Sequence, residues 1–313
     1  MTSNIEPLHD SRPPVAEFER RAIPCVVCEN TKWNFKFRKQ GYDFVQCAEC
    51  GLVRLDPLPS AEALNHHYEM RAKAGNYEPG KAIERLRVSE QIFASIEKIT
   101  NSKPKKIFDI GCFDGQLLDV AKGHGWETWG LELQGSAAEV ARKKHGDHIF
   151  IGTVEEWGIR HPGYFDVITA IAVIEHLTDP RKLLDLAWSC LKPGGLFVIQ
   201  TPNNDSIPSK IMGRYWPCIA APEHVFYFSD KTLEKMSTHA GFDSLFWSSH
   251  WKSLRLGYVI NQLQYFGPEL GRVVSRLEPF CPNWILSRQL PVYGGEMLFF
   301  ARKPYSSDHS SAG

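Results

Sequence analysis

The sequence predicts an α/β protein: a Rossmann-like, mostly parallel sheet preceded by a small cysteine-bearing module. Three observations carry this. The apolar run Lys106-Ile107-Phe108-Asp109-Ile110 ends in a turn bearing Gly111 and Gly115 that opens a helical segment at Gln116. It is answered half a βαβ unit later by Gly130-Leu131-Glu132-Leu133. Two Cys-x-x-Cys pairs, Cys25/Cys28 and Cys47/Cys50, lie upstream. The chain has 313 residues, 43% of them hydrophobic, enough for one large domain and a small one, and a formal net charge of zero, which argues against nucleic acid as the partner.

Taken in order, residues 1–20 are polar and proline-bearing (Pro7, Pro13, Pro14) and are expected to be a disordered tail without a signal peptide. Residues 21–59 form the expected zinc ribbon. Each Cys-x-x-Cys supplies two thiolates from one tight knuckle, and four soft ligands suit tetrahedral zinc. Between the pairs, Trp33, Phe35 and Phe37 and then Tyr42, Phe44 and Gln46 alternate with polar residues around Gln40-Gly41, as in a hairpin. The alternatives are redox cysteines, buried thiols or disulfides. A redox pair would need a βαβ setting, and disulfides suit exported chains. Four thiolates leave no open position for catalysis, so the zinc is expected to be structural and to supply folding free energy to a segment too short for its own core.

Residues 60–103 predict two linking helices. Ser60 is the expected N-cap of the first, which carries Leu64 and Tyr68. The second runs over 81–99, with Ile83, Leu86, Phe93 and Ile96 on one side. The large domain is expected over 104–303. Within it, 251–290 reads as a helical insertion before the last strand, with Leu256, Val259, Leu263, Phe266, Leu270, Val273, Val274 and Leu277 at helical spacing and Arg255, Arg272, Arg276 and Arg288 interspersed. Ordinary packing, a lid, a dimer surface and an amphipathic membrane contact are the competing readings. Residues 304–313 are expected to be a second disordered tail. Cys112, Cys190, Cys218 and Cys281 are scattered and read as reduced, which suits a cytoplasmic protein.

The loop chemistry selects among nucleotide cofactors. A dinucleotide site would want a second glycine where Phe113 stands, so that a pyrophosphate can reach bare amides. Asp109 would repel that pyrophosphate but suits an α-ammonium. Glu132, at the end of the next strand, is placed to accept hydrogen bonds from two ribose hydroxyls. A cationic adenosine cofactor, S-adenosyl-L-methionine, fits better than NAD.

Asp-Ile-Gly-Cys-Phe-Asp-Gly at 109–115, followed by Gly130-Leu131-Glu132-Leu133, resembles the first two motifs of class I S-adenosylmethionine-dependent methyltransferases. Ile149 to Glu155 resembles the third strand and its adenine-contacting end, and Tyr164 to Ile168 the fourth strand. Ala172 to Pro180 is similar to the loop after it, Leu191 to Ile199 to the turn into the fifth strand, and Met297 to Arg302 to the last. The resemblance implies a seven-stranded sheet with an antiparallel last strand. It further implies cofactor contacts from Asp109, Gly111, Cys112, Phe113, Gly115, Glu132, Leu133, Thr153, Val154, Glu155 and Ile171. In related enzymes the linking helices cover the cofactor, which would bring in Tyr68 and Tyr77.

Methyl transfer to a hydroxyl needs positioning and proton removal. His176 and His224 are the candidate bases, with Glu175 and Glu223 as neighbouring carboxylates; the catalytic set is His224, His176 and Glu223. Proteins that pair such a ribbon with such a domain imply a sugar or glycan-precursor hydroxyl as acceptor. A phenolic or other small metabolite, or a non-catalytic cofactor-sensing role, are the alternatives. A monomer or homodimer with no transmembrane segment is expected, peripheral membrane contact remaining open.

Overall fold

The structure, a computed structural model, describes residues 18–19, 23–73, 82–101, 105–133, 135–257, 260, 271–273, 276 and 280–305. Most of the N-terminal tail, Tyr77, Val259, Leu263, Phe266, Leu270, Val274, Leu277 and residues 306–313 lie outside the described residues.

The cysteine module comes first. The pair β1 (Phe18–Glu19) and β5 (Leu58–Pro59) flanks a sheet made of β2 (Trp33–Lys39), β3 (Tyr42–Cys47) and β4 (Val53–Asp56). Gln40 and Gly41, both at positive φ, turn β2 into β3, with Lys39 opposite Tyr42. The fourth strand of this sheet, β11 (Phe226–Tyr227), comes from far downstream and pairs with β4, Phe226 opposite Arg54. The module therefore does not stand alone. Cys25, Val27, Phe44, Leu52 and Leu55 belong to the same buried cluster as Phe108, Phe197 and Phe226.

Two helices follow, α1 (Ala61–Lys73) and α2 (Ala82–Thr100). Ser60 caps α1, its Oγ accepting from the Ala63 amide at 3.1 Å. On α2, Phe93 and Ile96 are buried together with Ile92, whereas Ile83 is 64% and Leu86 38% exposed. Helical spacing grouped these four residues, but only the later turns reach the sheet.

The main sheet has seven strands, ordered β12-β13-β10-β9-β6-β7-β8. The parallel set is β6 (Lys106–Ile110), β7 (Glu127–Glu132), β8 (Ile149–Ile151), β9 (Phe165–Ile171) and β10 (Leu191–Pro202), joined by α3 (Gln116–Gly123), α4 (Ser136–His145), α5 (Val154–Trp157) and α6 (Pro180–Cys190). After α7 (Ile207–Met212) and α8 (Asp230–His239), the pair β12 (Asp243–Arg255) and β13 (Gln289–Arg302) closes the edge, with β13 antiparallel to both β10 and β12. This is the expected seven-stranded, Rossmann-like arrangement.

The bounds 251–290 of the expected helical insertion are too wide, although residues 256–257, 260, 271–273, 276 and Asn283–Leu286 within it are helical. Trp251–Arg255 and Gln289–Leu290 are strand, Leu254 opposite Leu290, so the two last strands run on as a long ribbon beyond the sheet. Each of these strand segments has an antiparallel partner that satisfies its amides.

Period-two alternation gives the sheet two apolar faces. Phe108, Phe197, Ile199 and Phe299 face α6, α8 and the cysteine module, while Ile107, Val167, Val198 and Phe300 face α2 and α3. The first face is rich in stacked rings, Phe108 lying 4.7 Å from Trp157 and 5.0 Å from Phe165 between centroids.

Candidate active site

At the carboxyl end of β6 the chain turns sharply at Gly111, whose φ of +76° an L side chain rarely adopts. A Cβ there would stand 2.4 Å from Val173 Cγ2, so only hydrogen fits beneath the loop after β9. The Gly111 and Cys112 amides both donate to the Leu131 carbonyl, at 2.7 and 3.0 Å, which clamps the loop onto β7. Gly115, at φ +79°, starts α3.

Two carboxylates stand at these strand ends. Glu132 accepts from the Phe113 amide at 2.7 Å through Oε2 and from the Leu133 amide at 3.1 Å through Oε1. Burial nevertheless raises its pKa, the two amides pulling the other way. Asp109 is buried, and its Oδ1 accepts from Thr169 Oγ1 at 2.6 Å. Burial lifts it to about 7 against that hydrogen bond, with the Glu132 charge adding to the rise.

Two cavities meet at this loop. The larger, ≈ 870 Å³, is walled by Gly111, Phe113, Glu132, Leu133, Thr153, Val154, Glu155 and Ile171, with Tyr68 of α1 and His176 across from them. The smaller, ≈ 370 Å³, is walled by Asp109, Gly111, Cys112, Phe113 and Ile171, together with Arg85, Gln200 and Lys252. Of the eleven residues expected at a cofactor, ten line one cavity or the other. Gly115 lines neither: it lies under the His145 ring, 3.1 Å from where its Cβ would be. Thr153 also caps α5 through a reciprocal pair with Glu156.

Arg85, Gln200 and Lys252 carried no signal in the sequence. Arg85 donates to the buried Asp114 carboxylate at 3.0 Å, and Lys252 Nζ to Glu296 Oε1 at 2.7 Å. Only the register of β12 against β13 brings Lys252 to this end of the sheet.

The expected catalytic residues gather, but not as expected. His176 is in the larger cavity's wall; His224 and Glu223 are not. The His176 and His224 rings stand edge to face, 4.6 Å apart. His224 Nδ1 donates to the Cys218 carbonyl at 2.8 Å, so a backbone oxygen and not the neighbouring carboxylate orients it. Burial lowers its pKa and keeps it neutral near pH 7. Glu223 contributes its carbonyl to His176 Nδ1, at 3.0 Å, while its carboxylate lies 3.6 Å from His67 Nε2. Glu175, fully buried, accepts from Thr201 Oγ1 at 2.9 Å, and burial lifts it to about 8.

In the cysteine module, Cys25 Sγ lies 3.5 Å from Cys50 Sγ and Cys28 Sγ 3.5 Å from Cys47 Sγ, and the four sulfurs all fall within 4.8 Å of one another. Four thiolates at ~2.3 Å from one ion stand about 3.8 Å apart, so this set fits a tetrahedral metal. The Cys50 thiol and the Val27 and Cys28 amides hold Cys25 down at about 5, while the Cys50 thiol is pushed up. Arg181 at the start of α6 ties the module to the main domain, donating to the Val26 carbonyl at 2.6 Å and the Glu29 carboxylate at 3.2 Å. Among the described residues no helix is long and apolar enough to cross a membrane.

The chain is similar to known methyltransferases. It is 32% identical over 108 residues to the ubiquinone biosynthesis O-methyltransferase of Thiobacillus denitrificans, covering 33% of this chain and 46% of that protein. To the protein of the same name from Psychrobacter arcticus it is 28% identical over 158 residues, covering 44% and 59%. The chain thus spans about half the length of the curated relatives it matches. A solved SAM-dependent methyltransferase from Archaeoglobus fulgidus superposes with a TM-score of 0.47 at 22% identity, over 69% of this chain and 94% of its own. A family model described as a methyltransferase domain matches residues 83–245, from α2 into β12, and so leaves the cysteine module outside. That match takes in half of the chain, and the protein belongs to the methyltransferase domain family.

Proposed function

We propose that the protein transfers a methyl group from S-adenosylmethionine to a hydroxyl of a small molecule. The observation that carries this is the pair of carboxylates, the buried Asp109 and the part-buried Glu132, at neighbouring strand ends on the two sides of the Gly111 turn. One suits an ammonium and the other a ribose diol, and Phe113 stands where a pyrophosphate would need glycine.

In this reading Glu132 holds the ribose. Leu133, Thr153, Val154, Glu155 and Ile171 pack the adenine, and Asp109 with the Gly111–Phe113 backbone holds the amino-acid end, with Arg85, paired to Asp114, in the same cavity wall. The cofactor when bound supplies an already activated sulfonium methyl, so the chain's own task is to hold the acceptor in line and accept its proton. Of the expected catalytic set, His176 is the member in the cavity wall, where it faces the acceptor's place. The four cysteines are read as a structural zinc site; the donor set and spacing support zinc over harder ions.

The relatives' name, an O-methyltransferase of ubiquinone biosynthesis, supports oxygen as the methylated atom. It favours a ring hydroxyl over the sugar or glycan acceptor expected from the ribbon. Calorimetry with S-adenosylmethionine, S-adenosylhomocysteine and NAD tests the cofactor. Micromolar binding of the sulfur cofactors alone is expected, and Glu132→Ala should weaken it at least tenfold. Binding of NAD in their place would overturn the assignment. Incubation of the labelled methyl donor with catechols and with nucleotide-sugars then separates the two acceptor classes.

A further inference from the structure

We propose that Glu175, His176 and His224 form a second metal site, for a first-row divalent cation, distinct from the cysteine cluster. One carboxylate oxygen and one nitrogen from each ring all lie within 4.8 Å of one another. His176 Nε2 is 4.0 Å from Glu175 Oε1. Neighbouring ligands of such an ion stand about 3 Å apart and opposite ones about 4 Å, so closure needs side-chain shifts of about an ångström.

The groups behind the ligands aim them at one point. A carbonyl only accepts, so the Cys218 carbonyl at 2.8 Å fixes the proton of His224 on Nδ1 and leaves the Nε2 lone pair for a metal. For His176 the Glu223 carbonyl, 3.0 Å from Nδ1, sets the same tautomer when Tyr68 Oη, 2.7 Å from that nitrogen, gives its own proton to the Glu223 carbonyl at 3.3 Å. Thr201 holds the far oxygen of Glu175 at 2.9 Å, which turns Oε1 toward His176. All three backing groups are of the kind that orient metal ligands, and three elements contribute: the turn after β9, the end of β10 and the segment entering β11.

Two imidazoles and a carboxylate are borderline-to-hard donors, suited to manganese, iron, cobalt or zinc, and unlike the four thiolates they accept Mn2+. Three protein ligands leave positions for oxygen, and His176 is also part of the cavity wall. An acceptor with two adjacent oxygens, a catechol or vicinal diol, is the class such an ion would hold. As ligands the two histidines would not themselves take the acceptor's proton; the ion's charge would lower the hydroxyl's pKa instead. This role rests on the methyl-transfer reading, whereas the site itself does not.

The test uses the full chain with its cysteine site zinc-loaded, titrated with Mn2+ alone and followed by electron paramagnetic resonance. One Mn2+ per chain is expected, with nitrogen couplings from two imidazoles in the pulsed spectrum of the unmutated protein. His224→Ala and Glu175→Gln should each weaken Mn2+ binding at least tenfold, with S-adenosylhomocysteine binding as the check on folding. Absence of stoichiometric Mn2+ at millimolar concentration, or a bound ion without imidazole couplings, would overturn the site. Mn2+ bound normally in a protein that fails to bind any sulfur cofactor would instead sink the methyl-transfer reading and leave the metal site standing.

Discussion

If Asp109 holds the cofactor's ammonium as proposed, cofactor binding is linked to proton release. Its carboxyl sits in the wall of the smaller cavity, buried, with Thr169 as its hydrogen-bond donor and a pKa raised to about 7. An ammonium bound there would favour the ionised form, so only the deprotonated fraction is competent. That fraction is about one in eleven at pH 6 and one in two at pH 7, and apparent affinity should therefore rise about fivefold between them. Both values lie below the α-amino range of ~7.7–8.0, so the ligand's charge changes little. Calorimetry in buffers of different ionisation enthalpy should find about half a proton released per cofactor at pH 7. Asp109→Asn should bind more weakly and lose both the pH dependence and the proton. The free protein carries the opposite slope. Its folded state keeps the Asp109 proton up to about 7 while the unfolded chain loses it near 3.8, so stability falls as pH rises between those values, by up to ~4 kcal/mol. Equal affinity at pH 6 and 7 in the unmutated protein, or an unchanged pH profile in Asp109→Asn, would refute this reasoning.

Three further outcomes follow from the same geometry. Thr169→Val removes a donor to a charged acceptor, worth about 1.5–3 kcal/mol, and should move the midpoint of the binding profile upward by at least ~1 pH unit; an unmoved midpoint in the calorimetric series would remove Thr169 from the account. Gly111→Ala sets a Cβ 2.4 Å from Val173 Cγ2 at a left-handed φ, and should cost about 2–4 kcal/mol in denaturant unfolding and abolish cofactor binding. Cys47→Ser should lower the zinc content and, because the module shares its core with the main domain, depress the melting temperature of the whole protein in one transition; a methyltransferase-domain transition left in place by calorimetric scanning would show the two to be independent.

How much of this was legible in the sequence follows from the range of the physics involved. The Gly111 turn, the Glu132 strand end, the Ser60 cap and the Cys-x-x-Cys knuckles are decided within a few residues of chain, by backbone sterics and local hydrogen bonds, and each lies where its pattern put it. Sheet order was readable only through the motifs' succession. Helical spacing placed α2 but not the extent of its buried face, since Ile83 and Leu86 are exposed, and the lower bound of the insertion was set too early, since Trp251–Arg255 is strand; a partner strand decides such a segment and periodicity does not name the partner. The tertiary structure alone joins β11 to the cysteine sheet, sets Lys252 and Gln200 beside Asp109, and turns Glu175, His176 and His224 toward one point. These contacts span tens to hundreds of residues, and their cause is burial against a shared core, which no local pattern records. The sequence by itself determined the Gly111 loop and the thiolate set; folding decided what surrounds them.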